Sequence, residues 1–345
     1  MAADAHDTGS PGMTPLAWAA LLVVYVVWGS TYLGIGIAIE SMPPMLHAGI
    51  RFLIAAALLA AFLALRRGPG ALRASRRRIG SAMLVGLLLL TSGNGLVAIA
   101  EQHVSTGLAA LLVAAVPLWL VVLRSVGGDR PPLATFLGVA VGFVGVALLS
   151  ILPGGSSGSA FGAAVLLAAS LSWATGSFLA GRLPMPADSF AASVYEMTAG
   201  GAALLVLGLA RGESLDVGAI TVRSWLALGY LIAFGSLLAF TSYAWLLRNA
   251  PLSIVGTYAY VNPVVAVLLG ALVLSEAVTW PVLLGGAIIV LGVAIVVTTE
   301  SRPGSSGPAG RPPATRAPRR RRSGDLLTRL SPRTGQEARS DRPGP

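Results

Sequence analysis

Trp28-Gly29-Ser30-Thr31-Tyr32-Leu33 lies inside an apolar run that extends from Leu16 to about Ile39. At about 1.5 Å of rise per residue, such a run crosses a hydrocarbon core of roughly 30 Å as one helix. A helix that served only as an anchor would be filled with Leu, Val and Ala. This one carries an indole, two hydroxyls and a phenol near its middle. Polar groups at that depth are costly unless they face a partner helix or a wet cavity. The pattern returns 145 residues later as Trp173-Ala174-Thr175-Gly176-Ser177-Phe178, again within an apolar run. The chain therefore reads as two copies of one membrane unit folded around these helices.

Composition agrees with a lipid solvent. Of 345 residues, 55% are apolar and only 11% charged, whereas soluble chains carry about 25% charged residues. The mean hydropathy is +0.77. Segments of about ten alternating residues, the mark of a membrane β-barrel, are missing. The formal charge of +10 comes from 24 basic residues, all Arg; eleven follow Ser301 and six lie between Arg66 and Arg78. Arg beside membrane spans sets orientation and draws anionic lipid, so no nucleic-acid partner is expected. There is no Cys, which excludes disulfides and thiol chemistry. The N-terminus holds Asp4 and Asp7 but no Arg, and the first apolar run is too long for a signal peptide, so it should stay as the first span.

Ten apolar runs follow one another, at about 16–39, 44–65, 79–99, 104–124, 133–152, 159–181, 189–210, 224–247, 251–274 and 278–298. The expected fold is an all-α membrane protein of ten transmembrane helices. With the N-terminus in the cytoplasm, 21 of the Arg residues fall in inside loops and the tail, and only Arg211 and Arg223 fall in outside loops. The positive-inside rule then puts both termini in the cytoplasm of a multi-pass plasma (inner) membrane protein. The halves match beyond the Trp pattern. Arg51 and Glu196 stand 145 residues apart, Pro117 and Pro263 stand 146 apart, and Gly138 and Gly145 pair with Gly285 and Gly292 at 147. Five spans per half is an odd number, so the second copy enters the membrane from the opposite side. Two inverted five-helix repeats are typical of secondary transporters with a site near the midplane. The resulting divisions are a short N-terminus 1–15, repeats 16–152 and 153–299, and an Arg/Pro-rich tail 300–345 too polar to fold.

Several groups within the runs could carry function. Arg51, in the second run, either snorkels outward or stands as a fixed cation at the outer side of a cavity. Glu196, in the seventh, is either a protonatable carboxyl for coupling or a neutral group bonded to a neighbouring helix. Ser253, Thr257 and Tyr260 share one helix face beside Asn262-Pro263, where the proline frees the carbonyl of Ala259. Tyr25, Trp28 and Tyr32 form a second such face, and Ser92 and Asn94 mark the third run. Gly138-x-x-x-Gly142-x-x-Gly145, with Gly285, Gly286 and Gly292, suits close helix contact, as scaffold or as a homodimer face. Glu101, Gln102, His103 and His47 sit near span ends, without ligand spacing for a metal. No P-loop exists, nor any Lys, and no Ser/His/Asp set, so neither ATP-driven pumping nor enzymatic chemistry is expected.

These residues resemble the drug/metabolite transporter superfamily, specifically its EamA-type ten-span members. The resemblance spans about residues 16–299. It rests on Trp28-Gly29-Ser30-Thr31-Tyr32, on Ala48-Gly49-Ile50-Arg51-Phe52, and on Ala100-Glu101-Gln102-His103-Val104. Asn262-Pro263, Leu274-Ser275-Glu276 and the glycine-rich last run complete it. It implies duplicated five-helix units, a central cavity from spans 1–4 and 6–9, and export or exchange of small metabolites such as amino acids. Asp129, standing where the second half has Glu276, departs from the pattern in the loop between spans 4 and 5.

The expectation is a secondary transporter without cofactor or metal, moving a small-molecule substrate by alternating access. Its cavity residues are expected to be Trp28, Ser30, Tyr32, Arg51, Asn94, Trp173, Thr175, Glu196, Thr257 and Tyr260. Arg51 would hold an anionic group, the aromatics would gate or stack, and the hydroxyls and Asn94 would orient the solute. Efflux of lipophilic cations, with Glu196 as counter-charge, is the second transport reading. A membrane scaffold or sensor is the reading from another class.

Overall fold

The structure, a computed structural model, describes residues 14–151, 160–250, 255 and 257–300. Among them every regular element is helical. The order is α1 (Pro15–Ala38), α2 (Pro44–Arg67), α3 (Arg76–Ala100), α4 (Thr106–Val126), α5 (Leu133–Ile151), α6 (Ala160–Ala180), α7 (Ser189–Ala210), α8 (Val222–Tyr243), α9 (Tyr258–Val273) and α10 (Trp280–Thr299). Eight of these are long and apolar enough to cross a membrane, while α5 and α9 carry shorter apolar stretches, Leu133–Leu149 and Val261–Val273. The outer faces suit lipid: Leu58, Phe62 and Leu65 of α2 and Leu268, Leu272 and Val273 of α9 all point away from the bundle. The tail from 301, the residues before 14 and Ser253 lie outside the described residues.

Helix starts are set by short polar side chains. Thr14, Ser75, Ser105 and Thr221 each accept from a backbone N–H three residues on, and Asp188 accepts from Phe190 and Ala191 at 2.8 and 3.2 Å. Each cap satisfies one of the free donors of a first turn. Asp188 also holds Arg67 at 2.5 Å, tying the end of α2 to the start of α7.

Two further caps come from distant loops. Glu213 accepts from the backbone N–H groups of Met45 and Leu46 at 3.1 and 2.9 Å, at the start of α2. Glu276 accepts from Thr106 N–H at 2.8 Å, Gly107 N–H at 3.2 Å and the Thr106 hydroxyl at 2.8 Å. Ser275, at φ 55°, turns the chain back after α9 so that this carboxylate reaches α4. An anion at a helix N-terminus is favoured by the macrodipole as well as by the direct bonds.

Close helix contacts are made by glycine. A Cβ on Gly138 would stand 3.0 Å from the carbonyl of Gly292, and one on Gly145 would stand 2.8 Å from that of Gly285. The backbones of α5 and α10 therefore touch along the seam that the glycine spacing predicts. The same device joins α2 to α7, where Gly49 and Gly201 would each place a Cβ 3.0 Å from the other's carbonyl.

A seam glycine and an open one give two substitutions of one chemistry and opposite sign. Gly292→Ala sets a methyl against the backbone of Gly142 and should lower the thermal midpoint of the detergent-solubilised protein. Gly80→Ala meets open space on α3 and should raise stability by up to about 1 kcal/mol. Glu213→Ala, which strips two backbone donors, should cost about 1–2 kcal/mol in the same unfolding assay. Glu40→Ala, which removes only the exposed pair with Arg223, should cost less than about 1 kcal/mol.

Candidate functional site

A cavity lies within the bundle, with an empty volume of about 930 Å³, part of it open to solvent. Part of its wall is built where helices depart from α geometry. Helix α1 passes through a π-helical turn at Val24–Trp28, α3 through one at Leu87–Asn94, and α8 through one at Leu231–Leu238. Trp28, Leu90, Gly93, Asn94, Gly235 and Ser236 come from those turns to line the cavity. Helix α4 breaks at Ala114, also in the wall, and α9 contains Pro263. Irregular backbone at membrane depth is tolerated only where the freed groups find protein or water, and π turns are frequent at functional sites.

Trp28 is the hub. Its indole N–H donates to the Gly235 carbonyl, in the π turn of α8, at 3.3 Å. Its ring meets Tyr243 at 4.8 Å between centroids, Tyr258 at 5.4 Å, Phe240 at 6.4 Å and Trp173 edge-on at 6.5 Å. Aromatic contacts of this kind add about 0.5–1.5 kcal/mol each beyond burial and hold the rings in fixed poses. Behind this cluster the Tyr25 hydroxyl bonds that of Thr257. The Asn262 side-chain amide, oriented to satisfy its neighbours, donates to the carbonyls of Tyr258 and Tyr25, each at 3.2 Å. These bonds fasten α1 to α9 beside the wall.

Arg51 supplies the charge. It is 5% exposed, its Nε donates to the Ser236 hydroxyl at 2.9 Å, and its guanidinium stands 4.8 Å from the Phe52 ring centroid. Neither Nη group has a hydrogen-bond or ion-pair partner among the described residues, and Arg51 is part of the cavity wall. A cation so placed can receive an anion with two parallel bonds.

Of the residues expected to form the site, Trp28, Tyr32, Arg51, Asn94 and Trp173 share this wall. The others do not. Ser30 donates to the Val27 carbonyl at 2.8 Å and bonds the Tyr230 hydroxyl at 2.5 Å. Thr175 donates back to Leu171, and Thr257 bonds Tyr25 behind the wall. Glu196 is buried in α7, where its backbone packs on Gly86 of α3. The Tyr260 side chain lies outside what the structure describes. Thr31, Phe52, Ser236 and Phe240 line the cavity without having been singled out for it, whereas Tyr258 and Asn262, also in the wall, belong to the polar stretch of the ninth run already read as a candidate. Thr31 and Asn262 stand within quoted motifs; Ser236, a hydroxyl inside an apolar run, was the signal passed over.

Comparison with known proteins agrees with this architecture. Residues 16–151 and 160–298 each match the EamA-like transporter family. The uncharacterized inner membrane transporter YedA of Escherichia coli K12 is 40% identical over 280 residues, covering 81% of this chain and 90% of its own. The uncharacterized transporter YvbV of Bacillus subtilis is 28% identical, covering 82% and 93%. A chloroplastic WAT1-related protein of Arabidopsis thaliana is 25% identical, covering 82% and 70%. A protein of known crystal structure, 19% identical, shares the fold at a TM-score of 0.59 over 83% of this chain and 98% of that one. The chain is thus a multi-pass membrane protein of the EamA-like transporter family, within the drug/metabolite transporter superfamily.

Proposed function

We propose that the chain is a secondary transporter of the plasma (inner) membrane that moves small carboxylate-bearing metabolites, amino acids among them, outward by alternating access. The observation that carries this reading is Arg51: a buried cation in the cavity wall whose Nη groups are left open. It would hold the solute carboxylate while Trp28, Trp173 and Phe240 bound its apolar part and Asn94 oriented it. Cation efflux would need a counter-charge in the same wall, and Glu196 is not among its residues.

The architecture in this reading is ten spans in two inverted repeats, 16–152 and 153–299, with both termini cytoplasmic. The pairing of helices supports it. Exchanging the halves maps the α2–α7 and α5–α10 contacts onto themselves, and swaps the packing of α1 against α8 and α9 for that of α6 against α3 and α4. The Arg67–Asp188 pair joins two helix ends that this topology puts on the same, cytoplasmic face.

Two experiments test the proposal. The chain has no native Cys, so single cysteines at Gly70 and Gly181 can be labelled from either side of the cell. Both should react only from the cytoplasm, and reaction from opposite faces would end the inverted-repeat reading. In liposomes, Arg51→Glu should lower transport of acidic or zwitterionic solutes at least about tenfold, since a charged hydrogen-bonded contact contributes about 1.5–3 kcal/mol. Undiminished transport of those solutes in that variant would remove Arg51 from the site.

A further inference from the structure

Two consecutive residues of α8 hold one edge of Arg51. A guanidinium is a planar fork, and it can give a carboxylate two parallel N–H bonds along either of two edges. The side-on edge uses Nε and Nη2; the end-on edge uses Nη1 and Nη2. In this structure the side-on edge is taken. Nε donates to the Ser236 hydroxyl at 2.9 Å, and a Cβ on Gly235 would stand 3.1 Å from Nη2. The guanidinium also stands over the Phe52 ring, 4.8 Å from its centroid. The end-on edge, without a hydrogen-bond partner among the described residues, is what Arg51 has left to offer in the cavity wall.

The turn that takes this edge is itself fixed from the other side. The Gly235 carbonyl accepts from the Trp28 indole at 3.3 Å, and the Thr31 hydroxyl donates to the Trp28 carbonyl at 2.6 Å. The same added Cβ on Gly235 would stand 3.0 Å from Cγ2 of Thr31. The Gly235 backbone therefore lies between α1 and Arg51 in a gap that has no room for a side chain. Ser236 is 1% exposed, and both residues belong to the π turn of α8 and to the cavity wall. Were its oxygen removed, the Nε–H would be buried without its acceptor, which costs more than the bond itself contributes. The guanidinium would then turn toward other acceptors of the wall, such as the Asn94 side chain. The vacated space, one oxygen wide, is too small for a carboxylate to replace the hydroxyl.

We propose that Gly235-Ser236 is a specificity element of the transport site, a positioning pair that makes Arg51 take its solute carboxylate end-on, through Nη1 and Nη2. This rests on the assignment of Arg51 as the solute's cation. Ser236 acts through Arg51: by occupying Nε it fixes the direction of the fork before the solute arrives, so that little orientation is lost on binding. Gly235 acts by what it lacks, letting the fork lie against the turn. The end-on seat matches a planar anion with two oxygens side by side. An amide of the same shape meets it with one acceptor and one donor, and the donor opposes an Nη–H.

The test is calorimetric binding of benzoate to the full chain in detergent, with benzamide as the uncharged counterpart. Benzoate brings a carboxylate for Arg51 and a ring for the tryptophans. Ser236→Ala should weaken benzoate about fivefold or more while changing benzamide less than about twofold. Gly235→Ala, which presses on Nη2, should act in the same sense. A loss shared equally by the two ligands would mean that the pair only maintains the cavity, and overturns the proposal. Unchanged benzoate affinity in Ser236→Ala overturns it as well. Benzoate bound as tightly by Arg51→Gln as by the wild type would instead remove the Arg51 assignment on which the proposal stands. The edge is read separately by nitrogen-15 spectra of labelled arginine, in which the Arg51 signals are those lost in Arg51→Gln. Benzoate should move the Nη signals of Arg51 and leave its Nε signal with Ser236; an Nε signal that moves as far as the Nη signals overturns end-on capture.

Discussion

Backbone hydrogen bonding in a solvent that offers none is the constraint on which this structure depends. Within lipid a helix must satisfy its own amides, so a break in the ladder is stable only against protein or water. The breaks here are concentrated around one space. Three π turns, the step in α4 and Pro263 in α9 all abut the same cavity, and the groups they free are used. The Gly235 carbonyl accepts from Trp28, the Leu88 carbonyl accepts from Ser172 of α6, and the Tyr25 carbonyl accepts from Asn262. That part of the wall is therefore built from backbone that could not be stable on the lipid face. Helices α2, α5, α7 and α10 keep regular geometry through their seams and are joined in pairs by glycine, and glycine also sets α3 against α7 at Gly86 and α1 against α9 at Gly29.

That division separates two kinds of contact. Along the glycine seams backbone meets backbone, with no side chain to change rotamer and little room for relative motion. Around the cavity, contacts run through aromatic rings and single hydroxyl bonds such as Ser30 to Tyr230 and Trp119 to Ser170. These can break and re-form for about 1 kcal/mol each. The first set provides a frame and the second an adjustable lining.

Much of this was legible in the sequence for a physical reason: a polar or charged residue within an apolar run must have a destination. Trp28, Tyr32, Arg51, Asn94 and Trp173 all stand out in that way, and all reach the cavity. What was not legible is the rotation that a π turn imposes. Its extra residue advances the following face by about 100°. On α1 the face counted at 3.6 residues per turn holds Tyr25, Trp28 and Tyr32; Trp28 and Tyr32 line the wall together with Thr31 and Ile35, while Tyr25, inside the π turn, bonds Thr257 instead. Nothing in composition marks where such a turn falls. The role of Glu276 was hidden for a different reason. Read along the chain it is one acid in a short turn; only the fold brings it to the N-terminus of α4, 170 residues away.

Helix α9 is pinned at both ends to different neighbours. Near its start Asn262 and Val265 press on α1, where a Cβ at Gly29 would stand 2.6 Å from that of Val265. At its far end the Glu276 carboxylate clasps α4. Pro263, which lacks the N–H that would brace the Ala259 carbonyl, lies inside the first hold, between Asn262 and Val265. A rod notched within its own clamp cannot hinge there as a gate. Changes in the shape of the chamber therefore fall on the first turn of α9, ahead of the clamp, with the clasped rim staying in place.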